Sequence, residues 1–373
     1  MTPTLEKLFS PLELGGLVLP NRIARSATHD SMGRPDGFLT EPQIELNRQL
    51  AHNQIGMLIT AHMFVSLPWG KATTFQTGIS DERYLPGLSL LCQAVHETHG
   101  KVIAQLNHAG ASGCTPGVLP APSDIWEMVK EENGTDKRIQ RAAAMTVEEI
   151  QQIPEQFAAA ALLAKRAGFD GVQIHMAHGY LLSEFVDPTV NRRTDSYGGT
   201  AQNRFRLPEA VIQAVRRSCG ADYPVFIKIN SNISSGDRAY EEDLRYYLLR
   251  CRELGVAAAE LSGCDVVARK SWERNYYLPR AARMRRETGL PVILVGGIRT
   301  LEDMAAVLDA GVDMVSLSRP LICEPDLIPK LRAGGAPRCA GCNRCFTLYE
   351  KEGRRCALHE KLQQASPSKG GRL

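Results

Sequence analysis

No stretch of this 373-residue chain approaches the roughly 18 consecutive apolar residues that a membrane span requires. The opening residues, Met1-Thr-Pro-Thr-Leu-Glu-Lys-Leu-Phe9, lack the apolar centre of a secretion signal. A membrane partner is therefore not expected, and the location read from the sequence is cytoplasmic. An excess of one charge is missing as well. Lys and Arg number 44 against 41 Asp and Glu, a net charge of +3. That balance gives no electrostatic basis for binding nucleic acid. Six of the ten cysteines stand alone in the sequence: Cys92, Cys114, Cys219, Cys251, Cys264 and Cys323. They read as reduced thiols, most of them core fillers.

What is present is a rhythm. Helical patterns end in Gly56, Gly100, Gly168, Gly220, Gly255, Gly289 and Gly311, and each is followed by a short apolar run. Glycine suits the left-handed position just past a helix end. Thr146 with Glu149 reads as a capping box, and Thr300 with Asp303 as a close variant. The seven runs begin near Met57, Val102, Val172, Val225, Ala257, Val292 and Met314. Asn21-Arg-Ile-Ala-Arg-Ser26 makes an eighth. Strands alternating with helices predict a parallel sheet. Eight units predict an α/β fold of the (β/α)8 TIM-barrel type, with an open doubly wound sheet as the alternative. Residues 109–144, rich in Pro, Gly and Ser, read as an elaborated loop after the third strand. Residues 363–373 read as a disordered tail.

Barrel enzymes place chemistry at the C-terminal ends of their strands. Those positions carry a consistent set here. The first strand ends in Ala27, Thr28 and His29, small residues against which a flat ring fits. The second ends in Ala61-His62. The third carries Gln105 on an otherwise apolar run; if buried it needs partners, and its amide matches a donor–acceptor ring edge as well as it suits a structural role. The fourth delivers His175, His178 and Tyr180 within six residues. Two histidines suggest a metal, but no third His adjoins them and the nearest carboxylate downstream is Glu184. Two imidazole N–H donors converging on a substrate oxygen, with Tyr180 as general acid, is the stronger reading. Lys228 on the fifth strand is costly to bury without an anion, which is either an internal carboxylate or a reduced cofactor. Gly296 and Gly297 after the seventh strand, with Ser318 and Arg319 after the eighth, occupy the usual phosphate position of barrels.

Four further cysteines cluster late: Cys339, Cys342, Cys345 and, after a loop, Cys356. Their density suggests shared ligation, by an iron–sulfur cluster or a structural zinc. Four unrelated thiols is the remaining alternative. The organisation expected is a barrel over 1–335, a Cys-rich metal-binding segment over 336–362, and the tail.

These motifs resemble the old yellow enzyme family of NADH:flavin oxidoreductases, from Leu8-Phe-Ser-Pro11 to about Pro325. The most specific are Ile174-His-Met-Ala-His-Gly-Tyr-Leu-Leu182, Asn191-Arg-Arg-Thr-Asp-Ser-Tyr-Gly-Gly199 and Asn203-Arg-Phe-Arg206. Pro20-Asn-Arg-Ile23, Gln105-Leu-Asn-His-Ala-Gly110 and Ser318-Arg-Pro-Leu-Ile322 support them. The Cys-rich end is similar to the branch that includes 2,4-dienoyl-CoA reductase and trimethylamine dehydrogenase. The resemblance implies FMN, with NADH or NADPH as reductant and a [4Fe–4S] cluster. Ala27, Thr28 and Ala61 would pack on the flavin and Gln105 would bond its pyrimidine edge. Lys228 would face its N1 and O2, and Gly296, Gly297, Ser318 and Arg319 would hold the phosphate. His175, His178 and His29 would take the substrate, and Tyr180 would protonate it.

Two departures stand out. Lys228 replaces the family's usual Arg, and the Cys spacing is shorter than in the cluster-bearing relatives. The function expected is hydride transfer to the β-carbon of an activated alkene, a small-molecule substrate. Alternatives are an amine or other dehydrogenase passing electrons through the cluster to a partner flavoprotein or reductase subunit, and a non-redox aldolase-like barrel. A homo-oligomer is compatible with any of them.

Overall fold

Eight short parallel strands run in chain order around a closed barrel: β1 (Ile23–Arg25), β2 (Met57–Ile59), β3 (Val102–Asn107), β4 (Gly171–Met176), β5 (Val225–Asn230), β6 (Ala259–Ser262), β7 (Val292–Val295) and β8 (Met314–Leu317). The computed structural model describes residues 3–130, 135–233, 239–350 and 353–358, so the tail expected at 363–373 lies outside the described residues. Closure is complete: β3 pairs with β4, and β8 pairs with β1, each in parallel register. The open doubly wound sheet is thereby excluded.

Alternation along each strand decides what faces inward. Ile23, Leu58, Val102, Val172, Ile174 and Val225 point out to the helices. Ala24, Met57, Ile59, Ile103, Phe226, Ile293 and Met314 point in and form an apolar floor. Leu14 and Leu19, from a hairpin of Leu12–Leu14 with Leu17–Leu19, complete that floor. Higher up, the inward positions turn polar: Gln105, Gln173, His175, Lys228, Glu260 and Ser316, all buried. The barrel is a layered core with a polar upper storey.

The expected capping boxes at Thr146/Glu149 and Thr300/Asp303 both form. Gly168 and Gly289 end their helices with φ of 102° and 69°. Gly56 and Gly100 differ from expectation. There the left-handed residues are Gln54 and His99, just upstream. Gly56 is small because a Cβ would lie 2.5 Å from the Asn21 carbonyl oxygen.

The segment after β3 is more ordered than expected. It contains a three-stranded sheet in which Asp136–Ala144 pairs antiparallel with Ile125–Lys130 and parallel with Leu119–Ala121. Beyond β8, helices Arg319–Cys323 and Leu327–Arg332 lead to a small hairpin of Tyr349–Glu350 with Gly353–Arg354. Among the described residues no helix is long and apolar enough to cross a membrane.

Candidate active site

A cavity of about 520 Å³ opens at the C-terminal ends of the barrel strands. Every strand end predicted to carry chemistry reaches it, and of the residues named there as candidate site residues only Ala61 does not line it. Ala27, Thr28, His29, Gln105, His175, His178, Tyr180, Lys228, Gly296, Gly297, Ser318 and Arg319 all line it. Ala61 is half-buried beside it, and its neighbour His62 takes the wall position.

His175 and His178 stand edge to face, ring centroids 5.2 Å apart, with the Tyr180 ring 5.0 Å from His175. The Ala177 N–H donates to His175 Nδ1 at 3.3 Å, so the neutral ring carries its proton on Nε2. His178 has a left-handed φ of 64°, unusual for a residue with a side chain. Its own N–H donates to Asn230 Oδ1, and its Nε2 lies 2.9 Å from Ser262 Oγ, which hold it in place. The ring is open to the cavity yet enclosed by protein. Burial, with Lys228 adding repulsion, pushes His178 down to about 3. Burial likewise holds His175 well below its usual value and His29 at about 4. These imidazoles are neutral at pH 7, so what they can offer the cavity is N–H groups and not charge. Burial raises Tyr180 to about 12, with the Arg354 cation pulling the other way, so the phenol keeps its proton.

Below this group lies a buried polar network. Lys228 Nζ is 3.2 Å from Glu260 Oε2 and donates to Ser26 Oγ at 2.8 Å. Gln105 donates to Gln173 Oε1 at 2.7 Å, and Gln173 donates to Glu260 at 3.0 Å. Ser316 donates to the other Glu260 oxygen at 2.8 Å. Burial raises the Glu260 carboxyl, but Lys228 and these hydrogen bonds outweigh it and hold the group below its usual range. Lys228 thus has the internal carboxylate partner.

At the opposite wall, Gly296 and Gly297 have φ of 133° and 75°. A Cβ there would sit 2.6 Å from Tyr277 Cδ2 and 2.5 Å from Tyr276 Cε1. The Ser318 and Thr28 hydroxyls meet at 2.8 Å. Arg319 donates to Asn343 Oδ1 and Tyr276 Oη. None of the lining residues is acidic, and Lys228, Arg319 and Arg354 are cationic. A cavity lined by a two-glycine cradle and three cations, with no carboxylate in its lining, fits a phosphorylated, electron-accepting group.

The pattern of the NADH:flavin oxidoreductase / NADH oxidase family matches residues 7–336. The chain belongs to this family. Its relatives include the NADPH dehydrogenase of Geobacillus thermodenitrificans, 37% identical over 323 residues that cover 85% of this chain and 91% of that one. Another is the NADH oxidase of Thermoanaerobacter brockii, 30% identical over 90% of this chain. This chain spans 52% of that longer relative. Morphinone reductase in complex with tetrahydroNAD superposes with a TM-score of 0.75 at 29% identity, covering 89% of this chain and 92% of that one. The protein is thus an old yellow enzyme-type oxidoreductase that uses flavin and NAD(P)H, which sets the aldolase reading aside.

Four residues of this family member's site escaped the sequence reading. His62 faces Tyr180, its Nε2 3.3 Å from the phenol oxygen. Gln173 and Glu260 complete the buried network; each is a polar residue on an apolar barrel strand, the same signal that marked Gln105 and Lys228. Arg354 comes from the C-terminal hairpin, and its Nε donates to the His29 carbonyl. Nothing local in the sequence marks it.

Cys339, Cys342, Cys345 and Cys356 line one smaller cavity of about 230 Å³. Arg319, Ile322 and Cys345 line both cavities and form the wall between them. Among the described residues, no three His, Cys, Asp or Glu side chains are placed to hold a metal ion.

Proposed function

We propose that this protein is an ene-reductase that holds FMN in the 520 Å³ cavity. The observation that carries the reading is two neutral histidines and a protonated tyrosine gathered on the wall of the cavity that also holds the two glycines and Arg319. FMN supplies the redox chemistry, accepting hydride from NAD(P)H and passing it on. Ala27 and Thr28 face the ring, with Ala61 beside them. Gln105 is aimed by Gln173 at the pyrimidine edge. Lys228, paired below with Glu260, would offer its remaining N–H donors to the reduced flavin. Gly296, Gly297, Ser318 and Arg319 take the phosphate. His175 and His178, with His29 nearby, grip the carbonyl oxygen of an enone or enoyl substrate. That draws electrons from the β-carbon, which accepts the hydride. Tyr180 then delivers a proton to the α-carbon.

Tyr180→Phe tests the assignment. Rapid-mixing spectroscopy should show alkene reduction slowed by about 10²- to 10⁴-fold, with flavin reduction by NAD(P)H within about two-fold. Equal loss in both half-reactions would refute the role.

A second reading rests on the shared wall of Arg319, Ile322 and Cys345. We assign the barrel to 1–335 and a cluster-binding segment to 336–362. Four thiols around one cavity are the donor set of a [4Fe–4S] centre, and equally of zinc, although in this structure they are not drawn to ligating distance. With a cluster there, electrons would have a route to a partner flavoprotein, and the enzyme would run as a dehydrogenase. Iron and acid-labile sulfide assays on anaerobically purified protein discriminate: about four of each per chain supports the cluster, zinc or neither rejects it.

A further inference from the structure

His62 and Gln76 belong to no part of the reaction described so far, yet His62 is buried against the proton donor and Gln76 is buried behind His62. His62 is 5% exposed and Gln76 1%. The hydrogen bonds around them have only one consistent set of directions. The Ala72 N–H donates to Gln76 Oε1 at 2.6 Å, which fixes that atom as the amide oxygen. Gln76 Nε2 is therefore the NH2 group. It donates to the His62 carbonyl at 3.2 Å and lies 2.6 Å from His62 Nδ1. An NH2 group has no lone pair to offer, so Nδ1 must be the acceptor. A neutral imidazole that accepts at Nδ1 carries its proton on Nε2. His62 Nε2 is 3.3 Å from Tyr180 Oη. The imidazole thus donates to the phenol oxygen, and the phenol's own proton turns elsewhere. The elsewhere is the cavity, which Tyr180 lines.

We propose that Gln76 and His62 are positioning residues: a one-way relay of N–H donors that keeps the Tyr180 proton aimed at the substrate's α-carbon and then holds the phenolate. This inference rests on the reading of Tyr180 as proton donor. The opposite tautomer would make His62 Nε2 an acceptor, and the Tyr180 O–H would be spent on it.

The chemistry balances without a further reagent. Hydride addition at the β-carbon leaves an electron pair on the α-carbon. That pair takes the Tyr180 proton as the O–H bond breaks and a C–H bond forms. The phenolate then accepts the His62 N–H, now a charge-assisted bond and about twice as strong as the neutral one. Water entering the open cavity returns a proton to the phenolate and leaves as hydroxide, so each turnover draws one proton from solvent.

Two further features support the relay. The His62 ring is held in plane by stacking on His29, centroids 4.8 Å apart. His29 Nε2 is in turn fixed by Ser31 and Thr73 hydroxyls, each at 3.0 Å. Burial, reinforced by His29, His178, Arg354 and Lys228, keeps His62 neutral, so it remains a single-proton donor.

The test uses the full flavin-loaded chain. Nitrogen NMR of the ¹⁵N-histidine-labelled protein, with His62 assigned by comparison with His62→Leu, should show the Nε2–H tautomer. The Nδ1–H tautomer would overturn the proposal without any variant having to fold. In kinetics, His62→Leu should slow reduction of a simple cyclic enone by about 10- to 100-fold, part of the general-acid advantage. His62→Gln, which keeps a donor there, should recover at least half of that loss on a logarithmic scale. Hydride transfer to a nitroalkene, whose reduced anion is stable without a proton, should change less than about three-fold in either variant. A nitroalkene rate that falls as far as the enone rate would mean a merely structural role and sink the relay. Tyr180→Phe run in parallel separates the two readings. If it slows the enone and His62→Leu does not, the relay alone fails. If it leaves the enone rate unchanged, the proton-donor assignment fails and takes the relay with it.

Discussion

Glu260 shows how a single residue sets the character of this barrel. Its side chain is completely buried, and so, nearly, is that of Lys228 at 3.2 Å. A buried ion pair is a weak stabiliser against an apolar replacement, but removing one member leaves the other charge stranded. Glu260→Gln should therefore destabilise the fold by about 3–5 kcal/mol in urea denaturation. The double variant Glu260→Leu/Lys228→Met should recover most of that, because no charge is left unpaired. A single variant as stable as the parent would mean that Lys228 is not held as a cation by this carboxylate. The paired replacement is also expected to lose flavin affinity, since Gln173 would lose the acceptor that orders it and, through it, Gln105.

At the scale of elements, the loop leaving β7 is the most constrained part of the site. Gly296→Ala would place a Cβ on a backbone with φ of 133° and 2.6 Å from the Tyr277 ring. Strain of this kind costs about 1–3 kcal/mol, and the tyrosine must also shift. The flavin-to-protein absorbance ratio after gel filtration should fall by at least about ten-fold in affinity terms, equal to about 1.4 kcal/mol. Full flavin retention would show that this loop does not form the phosphate cradle. The eight strands and their cavity-lining ends were legible because nearly all repeat a local signal: a helical pattern closing on glycine, an apolar run, then polar residues at the strand end. The sheet within 109–144 was not, since its strand Ile125–Lys130 is largely exposed, with Trp126 and Met128 facing solvent. No alternation of apolar and polar residues marks such a strand. His62 was illegible for another reason. Its meaning lies in Tyr180, 118 residues away, and in Gln76 behind it. Arg354 likewise acquires a role only when the C-terminal hairpin folds back onto His29.

Over the whole molecule, the site imposes a pH dependence on folding. Five histidines are held below their usual value by the protein around them: the buried His62 and His175 strongly, the buried His108 and the half-buried His29 to about 4, and His178, which opens onto the cavity, to about 3. A histidine with a depressed folded-state value binds its proton more readily when unfolded. Its contribution to stability is complete above about 6.5 and is lost as pH falls toward the folded value. Two buried carboxyls act with the opposite sign. Burial raises Asp30 and, further, Glu184, so their contribution is present at low pH and lost as pH rises through the folded value. Between about pH 6.5 and 4.5 the five histidines outnumber the two carboxyls. Tm should thus be nearly level from pH 8 to 7 and decline steadily below about 6.5. His108 isolates one share of that slope. It does not line the cavity, and its Nδ1 accepts the Gly110 N–H at 3.2 Å, a bond that an asparagine oxygen can take over. His108→Asn should keep the fold at pH 7.5 and reduce the acid slope by roughly a fifth. A Tm that stays level down to pH 5 in the parent would mean that these rings are open to protonation in the folded state. The neutral N–H donors proposed for His175, His178 and His62 would then be lost together.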